Sequence, residues 1–368
     1  MAAPPLLQDF DKDGEYDIAI VESESDSLHV AFVAPDGTKF WPAGTDQTFG
    51  PLWPLSVRGQ LAAPLALART DIGESDGQTG VVLAWVDTLS ATANSSYTPV
   101  MWSGQPPQSA QPAAQGWTAS WSLSSGATPV SQMPSPPAAG DIDADKQDEV
   151  VVTTPDGRVL IFDDGTGVNS PHVTALRSPN PSGPALGDVD LDGTLEIAVW
   201  DDEYMYLLKS NGAVVTNWPR RIVPLSFDEL PPNRVERALE SPVIGDFVGD
   251  DAIEAIFPLQ DGSVYGFTWN GAPASGFPRV GPSGSKATAT VAALKGSPGT
   301  MDLVMVGFDE AIRFYDTVVD TTFTAPSLTM SIQSLPGSDA DDRMFWPAYQ
   351  AGALRQGDVT ESVPLGTS

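Results

Sequence analysis

An acidic phrase, followed at once by an apolar run, recurs along this chain of 368 residues. In its first copy Asp9, Asp11, Asp13 and Asp17 occupy positions 1, 3, 5 and 9, with Gly14 at position 6. Asp188, Asp190, Asp192, Gly193 and Glu196 repeat that spacing, with Glu as the last acid. Asp141, Asp143, Asp145 and Glu149 repeat it again with Lys146 in place of the glycine. A fourth copy, Asp246, Asp250, Asp251 and Glu254, has Val248 at position 3. A phrase of this kind is a tight, charged reversal, so the chain must turn wherever it occurs.

What lies between the phrases is as regular as the phrases. A short run of small residues leads in: Pro4–Gln8, Pro137–Gly140, Pro184–Gly187 and Pro242–Gly245. A β-rich run follows the acids: Ile18–Val21, Val150–Thr153, Ile197–Trp200 and Ile253–Phe257. Asp156-Gly157 or Asp261-Gly262 then precedes a second run, Arg158–Phe162 or Ser263–Trp269; Tyr204–Leu208 is its counterpart. Asp164-Gly165, Asn211-Gly212 and Asn270-Gly271 close the cycle. Asp-Gly and Asn-Gly between apolar runs signal hairpins in which both central residues take positive φ. Two degenerate copies, near residues 71 and 294, keep the cycle without the acids; the latter carries runs at Leu303–Gly307 and Ala311–Tyr315. Six copies of a four-strand unit predict an all-β chain, a β-propeller of four-stranded antiparallel blades, with seven blades as the alternative count. The propeller is expected over residues 1–337, with a closing segment and tail over 338–368. After the closing turns come Trp41-Pro42, Trp218-Pro219 and Phe277-Pro278, read as aromatic wedges between neighbouring blades.

Composition narrows the function. Lys and Arg number 18 against 48 Asp and Glu, a formal charge of −30. Nothing neutralises phosphates, so nucleic acid is excluded as a partner. No apolar run is long enough for a transmembrane helix, so direct membrane insertion is not expected. The start, Met1-Ala-Ala-Pro-Pro-Leu-Leu, has neither the basic nor the long apolar region of a signal peptide. There are no cysteines, which removes disulfides, thiolate metal sites and a cysteine nucleophile. The two histidines, His29 and His172, have no second histidine at ligand spacing. No nucleophile elbow, zinc-protease motif or phosphate-binding loop is present. Candidate interaction surfaces are the insertions at 88–136, 222–240 and 316–342, and the basic spot Arg220-Arg221 is read as a pair of surface ion-pair partners.

Converging Asp side chains on a tight loop suit calcium, a hard cation taking six to eight oxygens in flexible geometry. Positions 1, 3 and 5 supply carboxylates, glycine at 6 permits the reversal, the carbonyl at 7 adds an oxygen and the acid at 9 closes the shell. The candidate ligands are therefore Asp9, Asp11, Asp13, Glu15 and Asp17; Asp141, Asp143, Asp145, Gln147 and Glu149; Asp188, Asp190, Asp192, Thr194 and Glu196; and Asp246, Asp250 and Glu254. Two to four structural calcium ions are expected.

The cycle resembles the integrin-alpha-like FG-GAP and VCBS repeats of β-propeller proteins, over roughly residues 1–330. The acidic phrases at 9 and 188 carry the likeness best; of the family's name-giving letters only Phe49-Gly50 and Gly271-Ala272-Pro273 remain. The resemblance implies a ring of four-stranded blades with calcium loops between the first and second strands of some of them. The tail Phe345-Trp346-Pro347-Ala348-Tyr349 resembles the segment that follows the last repeat in some bacterial members. The expected function is a calcium-binding, non-catalytic interaction, adhesion or structural module at the cell surface or outside the cell, with the periplasm as the other location and a protein or surface assembly as partner. The alternatives are a carbohydrate-binding propeller, for which the partner is a glycan, and a propeller enzyme acting on polysaccharides.

Overall fold

The structure, a computed structural model, describes residues 6–8, 16–24, 27–34, 57–58, 60–61, 66–69, 79–87, 98–104, 116–120, 137–145, 148–154, 156–162, 171–223, 241–248, 250–259, 262–280, 289–292, 301–308, 328–335 and 344–346. Among them every regular element is a strand, and no helix is long and apolar enough to cross a membrane. The strands form six antiparallel sheets, most of them meanders in which each strand pairs with the next in sequence. The chain divides into two compact units, residues 1–180 with 350–360 and residues 181–349 with 361–368.

The third sheet, in the first unit, shows the pattern. Its strands are Ala138–Gly140, Glu149–Thr154, Arg158–Phe162 and His172–Ala175. The first two are buried along their whole length, whereas His172, Val173 and Ala175 of the last are exposed. Full burial of successive residues means both faces of the sheet are covered, which suits the unbroken run Val150, Val151, Val152. In the second unit the fourth sheet repeats this with Ala185–Gly187, Glu196–Trp200, Tyr204–Leu208 and Arg220–Arg221. The fifth has Val243–Gly245, Glu254–Pro258, Ser263–Thr268 and Arg279–Val280, and Met344–Trp346 adds a strand beside Val243–Gly245. The strands follow the runs expected from the sequence, and the acidic phrases join first strand to second.

Two expectations need correction. The described Asp-Gly and Asn-Gly turns are three-residue loops, not two-residue ones: Thr154 pairs with Arg158, and the Gly157 N–H donates to the Thr154 carbonyl at 3.0 Å. Gly157, Gly212, Gly262 and Gly271 take positive φ, while Asp156, Asn211 and Asn270 do not. Asn211 and Asn270 instead accept the N–H two residues on, from Ala213 at 2.9 Å and Ala272 at 3.0 Å. This is a type I turn followed by a left-handed residue, the next most common hairpin geometry. At Gly157 a Cβ would also stand 2.6 Å from the Ser178 carbonyl oxygen, so packing reinforces the conformational demand. The second correction is in the sixth sheet. Met301–Phe308 pairs with Leu328–Leu335, a run inside the stretch 316–342 that reads as an insertion in the sequence. The expected partner, Ala311–Tyr315, lies outside the described residues.

The wedges are seen where expected in the second unit. Trp218, buried, lies 5.8 Å from Phe257 and 5.6 Å from Phe267 between ring centroids. Its indole N–H donates to the Trp269 carbonyl at 2.8 Å, and Asn217 Nδ2 donates to the Asn270 carbonyl at 3.2 Å. The fourth sheet is thereby tied to the fifth. Phe277 does the same one sheet on, in a cluster with Ala289, Leu303 and Met305. Arg220 is not a plain surface ion-pair partner, since its guanidinium lies 5.6 Å from the Phe267 ring centroid.

Candidate metal centres

Each acidic loop is set by the last ladder pair of its hairpin. Gly140 pairs with Glu149, Gly187 with Glu196 and Gly245 with Glu254, so the acid at position 9 opens the second strand opposite a glycine. All three glutamates are buried. Each turns back into its loop and accepts the backbone N–H of position 2: Ile142 at 2.8 Å, Val189 at 2.9 Å and Phe247 at 2.9 Å. The position 2 side chains are buried too, and anchor the loop on the core. The ligand reading of the sequence passed over this residue, although an apolar side chain stands there in every acidic phrase.

The rest of the loop is wound around the position 1 carboxylate. Asp188 Oδ1 accepts the Asp192 N–H at 2.9 Å, and Oδ2 accepts the Gly193 N–H at 3.0 Å. Asp141 Oδ1 accepts the Asp145 N–H at 3.0 Å. Asp143 and Asp190, at position 3, accept the same position 5 N–H groups at 3.2 Å. Ala144 and Leu191 take left-handed φ of 66° and 60°, which closes the loop so tightly that carboxylates face each other.

Two groups of three carboxylates result. In Asp141, Asp143 and Glu149, and again in Asp188, Asp190 and Glu196, one oxygen from each residue lies within 4.8 Å of the others. These are positions 1, 3 and 9 of the phrase. Asp192, at position 5, accepts the Thr194 N–H at 2.9 Å and its hydroxyl at 2.6 Å, and these bonds, hydroxyl first, hold its carboxyl below the usual range. Asp145 likewise stands outside its group, and Asp246, Asp250 and Glu254 do not form one among the described residues. Asp9, Asp11, Asp13, Glu15 and Gln147 lie outside the described residues, and Asp17 opens the strand Asp17–Glu24 opposite Gln8.

Burial, partly offset by the backbone bond from position 2, pushes the Glu149 carboxyl up to about 8 and those of Glu196 and Glu254 to about 7. Neighbouring carboxylates add to the rise: Asp143, Asp145 and Asp141 around Glu149, Asp190 and Asp192 around Glu196. Glu149 Oε1 is buried and, among the described residues, has no hydrogen-bond partner. Asp190 is raised by burial, and by Asp192 and Asp188. Such a donor set, all oxygen and strongly anionic, fits a hard divalent cation.

The profile of an FG-GAP-like repeat matches residues 141–199, from the first of these loops into the second strand of the next sheet. Residues 141–199 are thus similar to an FG-GAP-like repeat. The fold class of the chain is all-β, of antiparallel propeller-blade sheets, three of the six four-stranded among the described residues. No curated protein matches the chain. Similar solved structures include BBS1N in complex with ARL6DN, at 12% identity and a TM-score of 0.47, covering 83% of this chain and 76% of that one. The V. cholerae biofilm matrix protein Bap1 is similar at 16% identity and a TM-score of 0.39, covering 90% of this chain and 53% of its own. BamB from Moraxella catarrhalis is similar at 16% identity and a TM-score of 0.38, covering 83% and 75%.

Proposed function

We propose that this chain is a calcium-stabilised, non-catalytic interaction module. Asp141, Asp143 and Glu149 would hold one ion, and Asp188, Asp190 and Glu196 a second. The observation that carries the reading is the buried oxygen of Glu149, partnerless among the described residues, which belongs to a group of three carboxylates converging within 4.8 Å. A buried anionic oxygen without a partner is costly. A cation beside it supplies the missing interaction and cancels the repulsion among the three acids. The ion's contribution is structural: it fastens the end of a first strand to the start of the second. The Asp9 phrase, which has the same spacing and a glycine at position 6, is assigned to a further ion on its sequence.

Calcium at extracellular, millimolar levels saturates even sites of the roughly 10⁻⁴–10⁻³ M class, which supports a location at the cell surface or outside the cell. A protein partner or surface assembly fits the repeat type. Calorimetric titration of the EDTA-treated chain with calcium is expected to show binding, and the melting temperature is expected to rise by several degrees as the sites fill. A melting curve indifferent to both EDTA and calcium would sink the structural ion. Turnover on a panel of polysaccharides would sink the non-catalytic assignment. Recovery of the native protein only from the cytoplasmic fraction would sink the location.

A further inference from the structure

The loop Asp246–Glu254 shares the frame of its two neighbours and departs from it at position 3, with Gly249 at position 4 and a left-handed Asp251 at position 6. Its Glu254 is buried, opposes Gly245 and accepts the position 2 N–H. Its Asp246 gathers the loop backbone, accepting from Val248 at 3.3 Å, Asp250 at 3.4 Å and Asp251 at 2.9 Å. At position 3, where the other loops place Asp143 and Asp190, stands Val248, partly buried against a cluster that includes Val243, Phe247, Ile256, Leu303 and Met305. Leu303 and Met305 come from the next sheet, so Val248 packs against a cluster to which two sheets contribute.

We propose that this loop folds without a cation, and that residue 248 alone makes the difference. The inference rests on the calcium reading of the other two loops. Three converging carboxylates need a cation to relieve them. Here position 3 adds no charge, and the packing of Val248 holds the loop where the ion would hold it. One fewer carboxylate also leaves calcium short of the oxygens it requires. Position 3 is then a switch between two ways of closing the same loop: by an ion, or by the core.

The test counts calcium bound to the full-length chain, by equilibrium dialysis with elemental analysis. Val248→Asp is expected to bind one more ion than the wild type, because it restores the missing ligand on a loop already wound for it. Asp190→Val is expected to bind one fewer and to remain folded, since a valine serves at this position in the loop Asp246–Glu254. Asp246→Asn is expected to leave the count unchanged. A fall of one ion in Asp246→Asn, no loss in Asp190→Val, or no gain in a folded Val248→Asp would each overturn the proposal. A wild type that binds no calcium would strike at the reading of the other loops; an ion gained by Val248→Asp above that zero would still uphold the role of residue 248.

Discussion

The loops at 141–149 and 188–196 reach the same three-carboxylate arrangement by different means. In the latter, Gly193 at φ 94° donates its N–H to Asp188, and Thr194 clamps Asp192 through both its N–H and its hydroxyl. Glu196 Oε2 accepts two backbone N–H groups, from Val189 at 2.9 Å and Asp190 at 3.4 Å. In the former, Glu149 has, among the described residues, a single backbone donor and one oxygen without a partner, and its carboxyl is pushed up to about 8 against about 7 for Glu196. One loop is organised by its own backbone. The other leaves more charge unrelieved, and so has more to gain from a cation.

The largest expected effect is on pH dependence. Glu149 and Glu196 stand well above their ordinary value of 4.5 in the ion-free protein. A carboxyl whose folded value exceeds its unfolded one holds its proton more tightly when folded, so stability falls as pH rises between the two values. In EDTA the melting temperature should therefore drop from pH 5 upward, the Glu196 part levelling near 7 and the Glu149 part near 8. With calcium present the drop should shrink or reverse, because the ion favours the charged form. A flat profile in EDTA would break the comparison at its root.

Glu149→Gln comes next. The amide keeps the acceptor for the Ile142 N–H, removes the buried charge and gives Asp141 or Asp143 a donor. Urea denaturation in EDTA at pH 8 should show this variant more stable than wild type by about 1–2 kcal/mol, the scale of relieving one unsatisfied buried group. Glu196→Gln should gain less than half of that. Equal gains would mean that the extra backbone donor at Glu196 contributes nothing. The smallest effect is expected from Thr194→Ala, which removes the hydroxyl from Asp192 at an exposed site. Stability should change by about 0.5 kcal/mol or less. The Asp192 carboxyl, followed by NMR titration, should move up, and the loop 141–149 should not respond. A response there would show that the two loops are not independent.

Much of this was legible from residue spacing. The strands Arg158–Phe162 and Tyr204–Leu208 begin and end where the apolar runs do, because Asp-Gly, Asn-Gly and the acidic phrases are local instructions to turn. The turn geometry was not, since the same Asn-Gly pair serves two-residue and three-residue loops and the ladder register chooses between them. The partner of Met301–Phe308 was legible but easily passed over: in Leu328–Leu335 the apolar Leu328, Met330 and Ile332 alternate with Thr329, Ser331 and Gln333, the strand period, inside a stretch otherwise rich in Ser and Thr. Within the sites, positions 1, 3 and 9 converge as the spacing suggests, but position 5 does not: Thr194 draws the Asp192 carboxylate to the loop's own backbone.

The repeat, its strand runs and the places where acids gather are properties of residue order, because turn chemistry and β alternation act over a few neighbouring residues. Which of those acids are buried, and which have their carboxyls pushed up, are set across sheets. Glu149 and Glu196 are shielded because the sheets around them are covered on both faces, and Val248 has somewhere to pack because Leu303 and Met305 arrive from more than fifty residues further along the chain. Burial and electrostatic convergence are properties of assembled surfaces, and no local spacing encodes them.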